Sequence, residues 1–104
     1  HVAYLVRVKT VVRTWIVQRR YREFAALYRC LCSALPADEV PHLPTPSEMR
    51  AFRGGMVSEQ RRLALQTWLG MVVRRKEMWE CDDLCLFLDD RRRTLGLQAA
   101  LARL

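Results

Sequence analysis

Apolar and polar residues alternate over the first nine positions. Val2, Tyr4, Val6 and Val8 fall on one side, and Ala3, Leu5, Arg7 and Lys9 on the other. This period of two predicts a strand over residues 1–9 with one buried face. A second β-branched run, Thr14-Trp15-Ile16-Val17, leads on to Arg20 and predicts an antiparallel partner strand. The turn between them, residues 10–13, contains none of the Gly, Asn or Pro usual in a hairpin. The period then changes to that of a helix. Phe24, Leu27, Tyr28, Leu31 and Leu35 form an amphipathic stripe, so a helix is expected over 22–35, stopped by Pro36. A second helix should open near Ser58 as N-cap, with Glu59 in its first turn and Leu65, Trp68, Leu69 and Val72 inward. Arg74-Arg75-Lys76 closes it with the charge a helix C-terminus favours. Residues 82–88 predict a short last helix through Leu84, Phe87 and Leu88.

Two segments fall outside this pattern. Residues 36–57 hold four prolines and Gly54-Gly55, which predicts a loop long enough to be functional. It mixes apolar Leu43, Met49 and Phe52 with basic Arg50 and Arg53, a combination suited to a membrane interface. Pro41-His42-Leu43-Pro44 also fits a minimal P-x-x-P ligand of SH3 domains, so a protein partner through this loop is an alternative use. After the last helix, Asp89-Asp90-Arg91-Arg92-Arg93 marks a boundary. Leu97, Ala100, Leu101 and Leu104 have helical spacing, so residues 91–104 read as a C-terminal helical extension or linker beyond a domain at 1–90.

Composition narrows the function. The chain has 104 residues, half of them hydrophobic, enough for one modest core. No apolar run approaches the length of a membrane span, and Arg7 and Lys9 interrupt any signal-peptide pattern. The net charge is +7, with sixteen arginines against two lysines, which favours an anionic partner such as a phosphoinositide, an anionic bilayer or a nucleic acid. A nucleic-acid binder would carry its arginines on one exposed face or interleave exposed aromatics. Here Trp15, Phe24 and Trp68 fall on core stripes, so nucleic acid is not the expected partner. Catalysis is not expected either, and no cofactor is implied. The histidines are His1 and His42, the acidic residues gather at helix ends, and Gly54-Gly55 lacks a following Lys-Ser/Thr. Cys30, Cys32, Cys81 and Cys85 lack the C-x-x-C spacing of a zinc knuckle, so reduced cysteines and no metal are expected.

The most informative stretch is the handover from strand to helix, Arg19-Arg20-Tyr21-Arg22-Glu23-Phe24. Free N–H groups and the positive end of the helix dipole gather at such a junction, and guanidinium groups grip phosphate in bidentate fashion. Alternation puts Arg19 and Arg20 on opposite strand faces, so one of the two can face a given pocket. Neither is expected to carry core packing. Arg61 lies one turn before Leu65 on the inward stripe of the second long helix. An arginine there needs an anion, a salt bridge to Glu23 or Glu59, or a path to solvent.

Arg19-Arg20-Tyr21-x-x-Phe24, followed by a Pro-rich loop and a helix opening with Arg61, resembles the phox-homology (PX) domain of sorting nexins and NADPH oxidase organiser subunits. The resemblance covers residues 1 to about 90. It implies an α+β fold: a small antiparallel β-meander packed on a helical subdomain, with a lipid pocket between them. The sequence begins at the place of the second strand of the family pattern, so the first is either missing or supplied in another way, and without it the sheet edge along residues 1–9 would be open. It also implies a module that targets membranes by binding phosphoinositides, most of all phosphatidylinositol 3-phosphate, in a cytoplasmic protein peripheral to endosomes. On that pattern Arg20 would grip the 3-phosphate, Tyr21 would stack beneath the inositol ring and Arg61 would bond the 4- and 5-hydroxyls. Leu43, Met49 and Phe52 would enter the bilayer. The family's usual lysine for the 1-phosphate is replaced by Pro46-Ser47-Glu48, with Arg50 or Arg53 as substitutes. The alternative is a PX fold that works as a protein-interaction module with weak or no lipid specificity.

Overall fold

The computed structural model describes residues 2–89 and the backbone of 101–103. Strands β1 (Ala3–Lys9) and β2 (Thr14–Arg20) form an antiparallel hairpin in register from Lys9↔Thr14 to Ala3↔Arg20. Their alternation buries Tyr4, Val6, Val8, Trp15 and Val17 on one face and exposes Leu5 and Ile16 on the other. Val2, expected on the buried side, lies before β1 and is exposed. The turn closes without glycine because Thr10 supplies the missing bonds. Its N–H donates to Arg13 O (2.8 Å), and its Oγ1 accepts the N–H of Arg13 (3.1 Å) and of Val12 (3.3 Å). A hydroxyl bonding its own neighbouring backbone is a recognised turn device.

A third strand, β3 (Leu101–Arg103), pairs antiparallel with Arg7–Lys9, giving the order β2-β1-β3. This corrects the helix expected over 97–104, of which Leu97, Ala100 and Leu104 lie outside the described residues, as do Asp90 to Arg93. Backbone pairing with β1 overrides the helical spacing at 101–103, and it covers part of the sheet edge expected to be open.

Four helices complete the described domain: α1 (Tyr21–Ala34), α2 (Pro46–Ala51), α3 (Val57–Val73) and α4 (Asp82–Leu88). The Leu35 N–H donates to Leu31 O (3.0 Å), and Pro36 prevents another turn of α1. The expected stripes are inward: Phe24, Leu27 and Leu31 from α1, Leu65, Trp68, Leu69 and Val72 from α3, and Leu84, Phe87 and Leu88 from α4. Phe24 sits where these elements meet. Its ring makes edge contacts with Tyr4 (centroids 6.1 Å apart), Trp68 (6.2 Å) and Phe87 (5.0 Å), a geometry that aromatic quadrupoles favour.

Long donors sew the periphery to this core. Trp15 Nε1 donates to Leu88 O (2.9 Å), Trp68 Nε1 to Pro41 O (2.8 Å) and Trp79 Nε1 to Val73 O (2.9 Å). Arg19 does the same at the end of α4. Its Nε donates to Phe87 O (2.9 Å), its Nη2 to Asp89 O (3.0 Å) and its Nη1 to Gln18 O (2.8 Å). Carbonyls in the last turn of a helix have no partner within it, so Arg19 and Trp15 together cap α4 from β2. The expectation that Arg19 carries no structural load is therefore corrected. Trp68→Phe should keep the ring packing but strand the Pro41 carbonyl, lowering stability by about 1–3 kcal/mol. Urea unfolding should show this as an earlier midpoint with an unchanged slope.

Candidate functional site

The Pro-rich segment is more ordered than its composition suggests. After a 3-10 turn (Ala37–Glu39), Val40 and Leu43 are buried, and α2 follows directly. Thr45 caps α2: its Oγ1 accepts the Glu48 N–H (3.1 Å) and Glu48 Oε1 accepts the Thr45 N–H (2.8 Å), with Pro46 at the first helical position. Thr45-Pro46-Ser47-Glu48 is thus a capping box with an N1 proline, a signal the loop reading passed over. These bonds, with His42 Nε2 at 3.3 Å, hold the Glu48 carboxyl below its usual range. Replacing Thr45 by Ala should destabilise the domain by about 1 kcal/mol, readable as a lower urea midpoint.

This order corrects two of the three insertion candidates. Leu43 and Met49 are core residues, 3% and 7% exposed: Met49 lies on α2, and Leu43 precedes it in a segment held by bonds to the Pro41 and Pro44 carbonyls. Phe52 is half-buried against the same core. The exposed apolar residue of the segment is Met56, 74% exposed beyond the Gly54-Gly55 turn. Gly54 has φ +88°, where a side chain would be strained, and Met56 itself adopts φ 65° just before α3. The expected Ser58 N-cap is corrected accordingly: α3 begins at Val57, Met56 takes the N-cap position and Ser58 already lies in the first turn. The Pro41–Pro44 segment is also committed: Pro41 O accepts from Trp68 and Pro44 O from Tyr21, with Leu43 buried between them. It could not enter an SH3 groove without leaving the core.

Around this framework is a cavity of about 360 Å³ at the β2–α1 junction. Val2 and Tyr4 wall it from β1, Pro46, Met49 and Arg50 from α2, and Arg61 from α3. Arg20, Tyr21 and Arg22 complete it from the junction. Arg20, Tyr21, Arg50 and Arg61 are therefore brought together as the sequence suggested, whereas Arg53 is not. Arg53 folds back to donate to Phe52 O (2.9 Å) and to Arg50 O. Arg22 joins the lining although its place in the sequence marks it only as the second residue of α1. An exposed charge in a first helical turn reads as a solvated one.

Two of the polar members are held by backbone carbonyls. Arg61 Nε donates to Met49 O (2.8 Å), anchoring the stem and leaving the two Nη groups free to act. The Tyr21 hydroxyl donates to Pro44 O (2.5 Å). Burial, and then the Glu48 carboxylate, push the Tyr21 phenol above its ordinary pKa, keeping it a donor. Burial likewise raises Tyr4, against the lowering effect of the Arg61 charge. No carboxylate lines the cavity among the described residues. Glu23 accepts the Arg20 backbone N–H (2.9 Å) and faces the opposite side of the junction, and Glu59 pairs with Arg62 (Nε–Oε2, 2.9 Å). Four guanidinium groups around one small cavity with no carboxylate in its lining form a receptor for a compact anion with several oxygens.

The profile of the PX domain matches residues 8–91, a span that takes in Arg20, Tyr21, Arg50 and Arg61. The chain belongs to the PX domain family. It is also 32% identical over 72 residues to sorting nexin-18 of Mus musculus, an alignment covering 69% of this chain and 12% of that protein. No solved structure matches it significantly. PX domains are non-enzymatic modules that bind phosphoinositides and target membranes, and the α+β arrangement seen here is consistent with that fold. Among the described residues, no helix of this PX domain is long and apolar enough to cross a membrane.

Proposed function

We propose that this PX domain recognises the headgroup of phosphatidylinositol 3-phosphate and so brings its parent protein to endosomal membranes. The observation that carries the reading is that Arg20 and Arg61, from different elements, line the same carboxylate-free cavity. Arg20 grips the 3-phosphate, the Tyr21 ring supports the inositol, and the free Nη groups of Arg61 bond the 4- and 5-hydroxyls. Arg50, within 3.5 Å of Ser47 Oγ and otherwise exposed, lines the cavity just after the Pro46-Ser47-Glu48 stretch that replaces the family's lysine, and takes the 1-phosphate in its stead. Sedimentation with vesicles containing single phosphoinositides tests this. Preference for the 3-phosphate is the expected result. Equal binding to all anionic vesicles would leave a basic surface without headgroup choice, and no binding would favour a protein-interaction module.

Membrane depth should depend on Met56 rather than on Leu43 or Met49. Met56→Asp is expected to weaken vesicle binding about tenfold while sparing a soluble headgroup, since burying a Met in acyl chains contributes roughly 1.5–3 kcal/mol. The same vesicles and a headgroup titration decide it. Phe52→Asp is a poorer probe because that ring also packs on the core.

A further inference from the structure

On the other side of the β2–α1 junction lies a second depression, of about 390 Å³, between α1 and α4. From α1 it presents Glu23, Leu27 and Cys30, and from α4 Asp83, Leu86 and Phe87. The two helices run in opposite directions along it. The Cys30 thiol is against the Asp83 carboxylate at one end. At the other, Arg19 bonds the Phe87 and Asp89 carbonyls beside Glu23. The floor is apolar, with Leu27 3% and Phe87 7% exposed, while Leu86 stands 59% exposed on the wall. Glu23 and Asp83 mark the two ends, and neither has a cationic partner among the described residues. The guanidinium of Arg19 is occupied by three carbonyls. The lining carries the carboxylates of Glu23, Asp83 and Asp89 against the one guanidinium of Arg19, so in a chain of net charge +7 this groove is apolar along its length and acidic on balance.

We infer that the α1–α4 groove docks a short basic amphipathic helix of a protein partner. Glu23 and Cys30, the latter beside Asp83, are seven positions apart on α1, so the carboxylates are about 10 Å apart along the groove at 1.5 Å per residue. A partner helix with basic residues at i and i+7 reaches both, and leucines at i+3 and i+4 fall over Leu27, Leu86 and Phe87. Charge complementarity selects the partner. An acidic helix would be drawn to the arginine cavity instead, and a basic one is repelled from the rest of the molecule. The groove and the cavity lie on opposite sides of the junction, as Arg19 and Arg20 do, so both can be occupied at once.

The probe is a fluorescein-labelled, alanine-based 18-residue helical peptide with Arg at positions 6 and 13 and Leu at 9 and 10, beside a counterpart with Glu for both Arg. Fluorescence anisotropy with the whole chain should show binding of the Arg peptide that weakens with salt, and little binding of the Glu peptide. Leu86→Lys should cost tenfold or more, and the Glu23→Gln, Asp83→Asn double variant several-fold. Both variants change partly or largely exposed side chains, and both should bind a soluble phosphoinositide headgroup as the parent does. The inference is overturned if the Arg peptide does not bind, if the Glu peptide binds equally, or if Leu86→Lys binds like the parent. A failure here with headgroup binding intact leaves the lipid reading untouched.

Discussion

Alanine at Arg20 is expected to weaken binding of the soluble phosphatidylinositol 3-phosphate headgroup by ten- to a hundredfold with little change in stability. Alanine at Arg19 is expected to do the reverse. The two residues are adjacent, and each substitution removes one positive charge, so long-range attraction falls equally in both. What differs is what each guanidinium touches. Arg20 lines the cavity, and its guanidinium has no protein partner among the described residues, so its loss removes charge-assisted bonds to the ligand worth roughly 1.5–3 kcal/mol each. Arg19 donates to the carbonyls of Phe87 and Asp89. Its removal leaves those two carbonyls at the end of α4 without their donor, with only the Trp15 bond to Leu88 O remaining, at a cost of roughly 2–4 kcal/mol, less than the sum of its bonds because water reaches part of the site. Calorimetric titration and urea unfolding of the two variants separate the effects. Equal headgroup losses would mean that the cavity does not discriminate between them.

Phe24→Ala is expected to be the most damaging core substitution, costing about 3–5 kcal/mol in a domain of this size whose total stability is of order 5–15 kcal/mol. Phe24 is fully buried and its ring touches Tyr4, Trp68 and Phe87. Truncation therefore loosens the sheet, α3 and α4 together. Tyr4 also walls the cavity, so headgroup affinity should fall alongside stability. Phe24→Leu keeps most of the volume and should recover much of both. A Phe24→Ala variant as stable as the parent in urea would show that the aromatic junction is not the centre of the core.

Much of this fold was legible in the sequence because its long elements have clear periods. The alternation of β1 and β2 and the stripes of α1, α3 and α4 describe faces that bury as expected. The misreadings share a cause. Short elements and single side chains answer to tertiary contacts rather than to period. Helix α2 has six residues, too few to show a stripe, and its Thr45-Pro46-Ser47-Glu48 box was the one local signal. With α2 unseen, Leu43 and Met49 looked free for the bilayer. Strand β3 has three residues and is defined by its partner, not by its own spacing. Arg19 looked like a surface charge because its acceptors, the Phe87 and Asp89 carbonyls, lie far along the chain. Arg20 and Arg61 were legible because each sits at a position where a charge needs a reason: a strand–helix junction and an inward stripe. Arg22, on an exposed turn, gave no such sign.

On the reading proposed above, one cavity, built from β1, the β2–α1 junction, α2 and α3, receives the phosphoinositide headgroup. The most direct measurement is an NMR titration of the labelled chain with a short-chain, soluble phosphatidylinositol 3-phosphate, followed by backbone amide and arginine side-chain shifts. Saturable shifts should concentrate at Tyr4, Arg20, Tyr21, Arg22, Arg50 and Arg61, with Arg19, Leu86 and the Val11–Val12 turn unmoved. Shifts centred on the α1–α4 groove or the hairpin turn, or spread evenly over the basic surface without saturation, would contradict it.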